Sequence, residues 1–473
     1  MQPEQWRWAA HQLVDWVADY RQSVESFPVR SSVAPGDVAR AMPACAPELP
    51  EGMDEFLSAL DGVVVPGLTH VQHPSNFAWF PSNASLASVL GDIAAAGLGA
   101  LGLSWQSAPA LTEVEQVVCD WARQLCGLSP VWKGTISDGA STSTLVALLV
   151  AREKAGGSLR DGGLQAASQP LTVYCSADAH SSVTKAALLA GYGAANLRLV
   201  PVRRPGREMD VEALDALMAA DVAAGRRPAA VVATAGTTAT TAFDPLREIC
   251  RVAAAHRAYV HVDAAMAGAA MMLEEHRHLF DGIEEASSLC WNPHKWIGSI
   301  LETSLLYVRD PADLVSVMAT DPSYLRSAHD NDVVQYRDWG LPLGRRFRAL
   351  RLWALFHFEG AEAIRARMRR DLANARTFAE WVGAAPGWSV VAPVTLQTVC
   401  VRHTPASLPG KDLDRHTLAW CEAVNSSGRA HITPAQLDDG WLVRVSVGAE
   451  GTELRHLEQL WSLMQQKAAD VEG

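Results

Sequence analysis

The chain has 473 residues, of which 49% are hydrophobic and 19% charged, and its formal net charge at pH 7 is −12. This composition excludes wholesale disorder, and because single cores stop growing beyond roughly 250 to 300 residues, we expect two or three domains. The negative charge gives no long-range attraction to phosphate backbones or anionic lipids, so nucleic acid and membrane surfaces are poor candidate partners.

The cysteines and the N-terminus indicate the compartment. The eight cysteines are scattered without a CxxC pair, which favours free thiols in a reducing environment. The N-terminal stretch lacks the basic start and apolar core of a signal peptide, and the longest apolar stretch, 93–103, is shorter than the ~20 residues that a membrane span needs. We therefore expect a cytoplasmic protein.

The first predicted element is an amphipathic helix. Its apolar residues recur at helical spacing, namely Trp6, Leu13, Trp16, Val17 and Tyr20. Residues 30–52 are rich in proline and alanine, and they predict an extended arm over another surface. An apolar helix beside such an arm is typical of a chain with a partner subunit. We assign residues 1–85 to an N-terminal helical arm and dimerisation segment.

The middle of the chain predicts a mostly parallel sheet. From Ser141 to Val308, short apolar runs rich in β-formers alternate with helical stretches, a pattern typical of a sheet covered by helices on both faces. We assign residues 86–345 to a large α/β domain. Residues 346–473, with long helices and three short strands, predict a small C-terminal α+β domain. The basic run Arg365–Arg370 is interpreted as a solvated helix face.

Lys295 and Asp263 are the first candidate catalytic residues. Lys295 lies in "CWNPHKWIG", and a lysine in such a setting often only lays its stem on apolar surface. Desolvation could instead lower its pKa, so that it holds a carbonyl cofactor as a Schiff base. Asp263 ends the predicted strand "YVHVD", where it could be a mere helix cap. Together they suit a pyridine-ring cofactor, which needs a lysine for its aldehyde and an acid for its ring nitrogen.

Other candidate residues follow neighbouring strands. The stretch "SDGASTSTLVAL" places Gly139, Ala140 and Ser141 at the mouth of a helix, where backbone N–H groups can bind a phosphate. A second Gly/Thr-rich loop, "ATAGTTATTAFD", follows another strand. His180 could be a structural hydrogen-bonding residue or an aromatic plate over the cofactor ring. Ligands on parallel sheets bind outside the carboxyl ends of the strands, so we expect these segments to meet there.

Several motifs carry a resemblance to a known family. They are "HPSNFAWFPSN", "LGLSWQSAPALTEVE", "AHSSV", "HVDAAMAG", "NPHKW", "DPSYL", "YRDWGLPLGRRFRALRLW" and "VRVSVGAEGTE". In this order, from Trp6 to Met464, the chain resembles the pyridoxal-phosphate group II decarboxylases, and within them the aromatic-L-amino-acid decarboxylases. The resemblance implies an α/β enzyme of pyridoxal-phosphate fold type I, active as a homodimer with its sites at the subunit interface.

The resemblance also implies site residues. Lys295 would bind the aldehyde of pyridoxal phosphate, Asp263 would pair with the pyridine nitrogen, and His180 would stack on the ring. The other implied cofactor contacts are Gly139, Ala140, Ser141, Thr238, Ala265, Asn292 and His294. The implied substrate wall comprises Trp79, Phe80, Pro81 and Ser82, with Leu101 and Leu103 contributed by the neighbouring subunit.

The implied reaction converts an aromatic amino acid (dopa, 5-hydroxytryptophan, tryptophan, tyrosine or phenylalanine) to the amine and CO₂. The resemblance assigns protonation of Cα to a tyrosine on a loop that closes over the partner subunit's site, and Tyr324 matches that position. Related aldehyde synthases carry phenylalanine there, so Tyr324 favours amine formation.

The chain departs from the family pattern at four positions. Met266 stands where many relatives have tyrosine, Val71 where many have tryptophan, and Trp79 where tyrosine is common. Gly139 replaces a hydroxyl residue of the phosphate cup. These departures leave the preferred amino acid open. Arg444 has two interpretations, a clamp for the substrate carboxylate or a salt bridge at a domain interface.

Rival functions remain open at this stage. An aminotransferase or an aldehyde synthase would use the same Lys295 and Asp263, and product identity separates them from a decarboxylase. Glutamate or histidine decarboxylation fits less well, because the apolar and aromatic wall 77–81 suits a flat ring. A catalytically silent dimeric scaffold is the rival from another class, and the intact catalytic residues disfavour it.

Overall fold

The computed structural model describes residues 1–157, 159–320, 323–325, 329–330, 332–406, 408 and 412–471. The chain forms two compact units. The terminal unit comprises Met1–Pro81, Ala373–Val391 and Val399–Gly473, and the sheet unit comprises Ser82–Leu372 and Ala392–Thr398. The two units are defined by how residues pack and do not test the domain boundaries expected after residues 85 and 345, which remain predictions.

The helices and strands follow the chain in alternation. The α-helices are α1 (Pro3–Ser23), α2 (Asp37–Ala41), α3 (Met53–Ala59), α4 (Leu86–Leu98), α5 (Pro109–Leu125), α6 (Ala140–Gly156), α7 (Leu159–Gly162), α8 (Ser181–Leu189), α9 (Val211–Ala223), α10 (Leu246–Ala255), α11 (Pro311–Met318), α12 (Ala349–Phe358), α13 (Gly360–Ala384), α14 (Leu413–Ser426) and α15 (Leu454–Asp470). The strands are β1 (Lys133–Ser137), β2 (Leu171–Ser176), β3 (Leu197–Val200), β4 (Arg227–Thr234), β5 (Tyr259–Asp263), β6 (Ser288–Trp291), β7 (Ser304–Val308), β8 (Trp388–Val390), β9 (Thr398–His403), β10 (Thr433–Leu437) and β11 (Gly440–Ser446).

The sheet unit is built on seven strands in the order β1-β7-β6-β5-β4-β2-β3. Strands β2 to β6 pair in parallel, and β7 runs antiparallel to both of its neighbours. Every residue of β2, β5 and β6 is buried, as in a sheet with helices on both faces. The predicted α/β fold with a mostly parallel sheet is confirmed. Strand β1, with the sequence "KGTIS", was not predicted, because its lysine and glycine mask the apolar pattern.

The terminal unit contains a four-stranded sheet in the order β10-β11-β9-β8. Strands β8, β9 and β11 were predicted, whereas β10 carries Pro434 and lies at the sheet edge, where proline is tolerated. Helix α1 confirms the predicted N-terminal helix. The prediction that residues 30–52 form an extended arm is wrong for Asp37–Ala41, which form helix α2.

The eight cysteines carry free thiols, as predicted, and all but Cys45 are buried. Among the described residues, no helix is both long enough and apolar enough to cross a membrane.

Candidate active site

The sheet unit brings the predicted cofactor residues to one edge of its sheet. Strands β1, β2, β4, β5 and β6 are mutually parallel, so the segments that follow them leave from the same side. The sequence-predicted residues on these segments are Gly139, Ala140 and Ser141 after β1, His180 after β2, Thr238 after β4, Asp263 and Ala265 at the end of β5, and Asn292, His294 and Lys295 after β6.

The turn from β1 into α6 presents free backbone donors. Gly139 is the N-cap residue in an extended conformation, and within the described part of the chain no side chain caps the helix. The first-turn N–H groups of a helix have no intrahelical acceptor, and the helix dipole is positive there. A phosphate group fits this turn. A Cβ atom added to Gly139 would meet no described atom within 4 Å, so the turn is open.

Asp263 is a buried carboxylate at the end of β5, with 5% of its surface exposed. Its Oδ1 accepts a hydrogen bond of 3.0 Å from the backbone N–H of Ala265, and the Cys290 thiol lies 3.9 Å from the same oxygen. Burial raises the pKa of Cys290, so the thiol remains protonated and can donate. The carboxylate is thereby fixed in orientation.

A buried histidine, which the sequence analysis did not select, lies beneath Asp263. His261 is two residues earlier on β5 and so points to the same face of the sheet. Its Nδ1 lies 2.8 Å from Ser288 Oγ, and its Nε2 lies 3.6 Å from Cys290 Sγ and 3.4 Å from Thr144 Oγ1. Burial lowers the pKa of His261 to about 4, so the ring is neutral at pH 7 and places no second charge beside Asp263.

His180 is the N-cap of α8, and its side chain is exposed at the sheet edge. Its Nδ1 accepts a hydrogen bond of 3.2 Å from the backbone N–H of Ser182 and lies 2.8 Å from that residue's Oγ. In the neutral ring this bond places the proton on Nε2. The cap fixes the ring plane while leaving its face accessible.

The loop after β4 carries Thr238, which is exposed. The backbone N–H groups of Gly236 and Thr237 both donate to the carbonyl of Ala242 at 2.9 Å, which closes the loop. Asp244 anchors its base, since its two oxygens accept from the backbone N–H groups of Thr234 and Met209 at 2.7 Å each. Burial raises the pKa of Asp244 to about 7.

The segment after β6 carries Lys295. The N–H of Asn292 donates to the carbonyl of Ala265 at 2.9 Å, and the N–H of Lys295 donates to the carbonyl of Asn292 at 3.0 Å. The Asn292 Oδ1 is buried and has no hydrogen-bond partner among the described residues. Burial lowers the pKa of His294 to about 4, and its Nδ1 lies 2.6 Å from the carbonyl oxygen of Thr303. Lys295 itself is half-buried.

Comparison with known proteins shows the family. Residues 35–404 match the profile of the pyridoxal-dependent decarboxylase conserved domain. The chain belongs to the pyridoxal-dependent decarboxylase family. It is 37% identical to tyrosine decarboxylase 2 of Narcissus pseudonarcissus, over 99% of this chain and 95% of that protein. It is 36% identical to phenylacetaldehyde synthase of Arabidopsis thaliana, over 99% of this chain and 97% of that protein. The solved structure of Catharanthus roseus tryptophan decarboxylase in complex with L-tryptophan has a TM-score of 0.93 and 33% identity, with 99% of each chain covered.

The cofactor of this pyridoxal-dependent decarboxylase is pyridoxal phosphate, and the residues present fit it. The uncapped start of α6 suits the phosphate, and the buried Asp263 suits a protonated ring nitrogen. The Lys295 amine suits the aldehyde. The buried, orphaned Asn292 Oδ1 on the same segment is consistent with a polar partner supplied by a bound group.

The other predicted site residues of the decarboxylase do not lie on the segments that follow β1, β2, β4, β5 and β6. Ser82, Leu101 and Leu103 belong to the sheet unit, and 59% of the Leu101 surface is exposed. The side chain of Tyr324 lies outside the described residues.

Trp79, Phe80 and Pro81, which were predicted to form a substrate wall, belong to the terminal unit. Trp79 is exposed and has a positive φ of 56°, which is an outlier for a bulky residue. The buried guanidinium of Arg444 lies 4.8 Å from the centroid of the Phe80 ring, and burial lowers the pKa of this arginine to about 10. Arg444 therefore supports the wall through a cation–π contact, which neither earlier interpretation included.

Two arginines of the basic run 365–370 donate to backbone carbonyls of the sheet unit, which the sequence pattern did not indicate. Arg367 donates to the carbonyl of Ile297 at 2.6 Å, and its side chain is only 10% exposed. Arg365 donates to the carbonyl of Met272 at 2.9 Å. The interpretation of the basic run as a solvated face is therefore wrong for these two arginines. A helix pattern shows which residues share a face, but not which loop of the fold packs against that face.

Proposed function

We propose that the chain decarboxylates an aromatic L-amino acid to the corresponding amine and CO₂. The observation that carries this proposal is the set at one sheet edge: the amine of Lys295, the buried carboxylate of Asp263 and the uncapped start of α6. The similar proteins support the aromatic class, since they include tyrosine and tryptophan decarboxylases.

When bound, pyridoxal phosphate supplies an electron sink for the pair left by the broken Cα–carboxylate bond. The chain's residues determine where this occurs. Lys295 would hold the cofactor aldehyde through its amine until the substrate binds. Asp263, held by Ala265 and Cys290, would keep a proton on the ring nitrogen, and the neutral His261 adds no competing charge. His180 would stack on the cofactor ring, and its own ring plane is set by the backbone N–H of Ser182.

The substrate ring is proposed to contact Trp79, Phe80, Pro81 and Ser82, with Leu101 and Leu103 from a second subunit. This assignment rests on the family resemblance. The contact of Arg444 with Phe80 supports a rigid aromatic wall, because it fixes one ring of the wall. An aromatic wall favours flat side chains over those of glutamate.

The second candidate function is oxidative conversion to an aldehyde. Phenylacetaldehyde synthases are among the similar proteins, so family membership does not separate the two outcomes. Tyr324, which we propose as the residue that protonates Cα, favours the amine. Related aldehyde synthases carry phenylalanine at this position. The substitution Tyr324→Phe therefore tests whether this residue determines if the product is an amine or an aldehyde.

The deciding experiment is product analysis by mass spectrometry. Purified protein with pyridoxal phosphate is incubated with the aromatic L-amino acids, glutamate and histidine, beside Lys295→Ala and Tyr324→Phe. We expect aromatic amine from the wild type, none from Lys295→Ala, and a shift from amine toward aldehyde with Tyr324→Phe. An unchanged amine yield from Tyr324→Phe would remove the role of Tyr324, and aromatic amine from Lys295→Ala would refute the mechanism.

A further inference from the structure

The lysine loop, residues 295–298, is held at every one of its peptide carbonyls. The loop lies between β6 and β7 outside regular helix and strand, so its carbonyl groups find no partners in such elements. Buried carbonyls need donors from elsewhere in the fold. The four bonds are Asn83 N to Lys295 O (3.2 Å), Asn83 Nδ2 to Trp296 O (3.1 Å), Arg367 Nη2 to Ile297 O (2.6 Å) and Ser85 N to Gly298 O (2.9 Å).

The donors are themselves fixed by further contacts within the sheet unit. Arg367 pairs with Glu359 at 2.9 Å, and Glu359 also accepts from the hydroxyl of Ser85. The indole N–H of Trp296 donates to Asp371 Oδ2 at 2.9 Å, and both side chains are fully buried. Helix α13 therefore anchors the loop through two side chains one turn apart.

The position of this network bears on the chemistry. It begins at the carbonyl of Lys295 itself and covers the three residues that follow. The direction of a lysine side chain depends on where its Cα is held, and displacements of about 1 Å at a reacting group can cost on the order of a hundredfold in rate. The four bonds that satisfy these carbonyls therefore also fix the backbone from which the reactive amine extends.

We propose that Asn83, Arg367 and Asp371 are positioning residues for Lys295, holding its backbone so that the amine meets the cofactor aldehyde. This inference rests on the proposed role of Lys295. None of the three side chains is among the cofactor contacts, so they act through the lysine loop. Arg367 and Asn83 bind the carbonyls, and Asp371 fixes the neighbouring indole.

The test measures how fast the apo protein captures pyridoxal phosphate, followed by visible absorbance and by borohydride trapping with mass spectrometry at Lys295. Arg367→Met removes the donor, and we expect capture to slow roughly ten- to a hundredfold. Arg367→Lys returns one charged donor and should restore part of the rate. Asn83→Leu removes only the side-chain donor and should slow capture severalfold. The thermal midpoint of each apo variant is recorded in parallel.

The matched control is Arg369→Met, on the same helix two residues away, where the arginine is exposed and pairs with Glu275. It should capture at the wild-type rate. If Arg367→Met unfolds, Asn83→Leu decides the question. Folded variants with wild-type capture rates would overturn the positioning role while leaving the proposed function intact. Capture at full rate by Lys295→Ala would instead show that the lysine assignment itself is wrong.

Discussion

Gly139 shows how one residue can limit cofactor binding. Its backbone is extended, which any residue can adopt, and the space around its missing side chain is open. Nothing in the local geometry therefore requires glycine, and the position can accept a residue with a hydroxyl side chain.

We expect Gly139→Ser to bind pyridoxal phosphate roughly three- to tenfold more tightly, because one added hydrogen bond contributes about 1 kcal/mol. Fluorescence titration of the apo protein measures the dissociation constant. Gly139→Ala is the control, since it adds the Cβ without the hydroxyl and should give no gain. Equal gains in both variants would show that the hydroxyl is not the cause.

Asp371 illustrates the cost of a buried charge. Burial raises its pKa from 3.8 to about 6, although Trp296 donates to it and Arg370 lies 3.3 Å away. This carboxyl group therefore binds a proton more tightly in the folded protein than in the unfolded chain. Its contribution to the free energy of unfolding falls as the pH rises from about 4 to 6.

We expect Asp371→Asn to unfold at a higher urea concentration than the wild type above pH 6. The asparagine oxygen can still accept from the indole. Above pH 6 the free energy of unfolding of the variant should exceed that of the wild type by about 3 kcal/mol, the equivalent of the pKa shift, and the difference should vanish near pH 4. Urea titrations at several pH values measure it. A difference that does not change with pH would mean that Asp371 is not the titrating group.

At the scale of elements, α4 and α12 pack unusually closely. A Cβ atom on Gly91 of α4 would lie 2.2 Å from the carbonyl oxygen of Leu350, at the start of α12, so an added methyl group could fit only if the backbone shifted. Arg351 of α12 bonds Asp92 of α4 at 2.7 Å beside this contact. The helix pair needs glycine at this one position because the two backbones touch.

We expect Gly91→Ala to lower the free energy of unfolding by at least about 2 kcal/mol through overpacking. Gly97 lies on the same helix, and a Cβ there meets no described atom within 4 Å. Gly97→Ala should therefore be neutral or stabilise by up to about 1 kcal/mol. Chemical denaturation of both variants separates a steric effect from a general effect of alanine in α4.

At the scale of the whole molecule, exposed apolar residues point to self-association. On α4, Leu86, Leu90, Ile93 and Leu98 are 43%, 50%, 44% and 67% exposed, and none of the residues of α1, all of them described, is buried. Leu86, Leu90 and Ile93 recur at helical spacing on one face of α4, and an exposed apolar face of this kind marks an interaction site. We propose that two copies of the chain cover it.

Size-exclusion chromatography with light scattering should give twice the mass of one chain, and Leu90→Asp should give the single-chain mass. Leu188 on α8 has the same exposure, 50%, so Leu188→Asp is a matched control that should remain dimeric. A wild-type protein that elutes as a monomer at micromolar concentration would contradict the proposed homodimer.

The amino-acid sequence by itself determined the parallel sheet and the ends of its strands. Apolar runs of strand length, separated by helical stretches, predicted β2 to β7, and polar residues directly after those runs selected Lys295, Asp263 and His180. These signals are local, because strand period and strand ends are written in consecutive residues. Strand β1 was not predicted because only Ile136 among its residues is strongly apolar, although the strand leads into the turn proposed to bind phosphate.

Only the tertiary structure decided which distant residues support these local ones. Asn83 and Arg367 meet the lysine loop although they are more than 200 and about 70 positions away from it in the chain, respectively. The sequence predicted that Arg367 belongs to a solvated helix face, because a helical pattern does not show which backbone carbonyl packs against that face. Hydrogen bonds to loop carbonyls depend on three-dimensional proximity, and residues far apart in the chain become neighbours only in the folded protein. The chemistry of the site was therefore visible in short motifs, whereas its geometry required the fold.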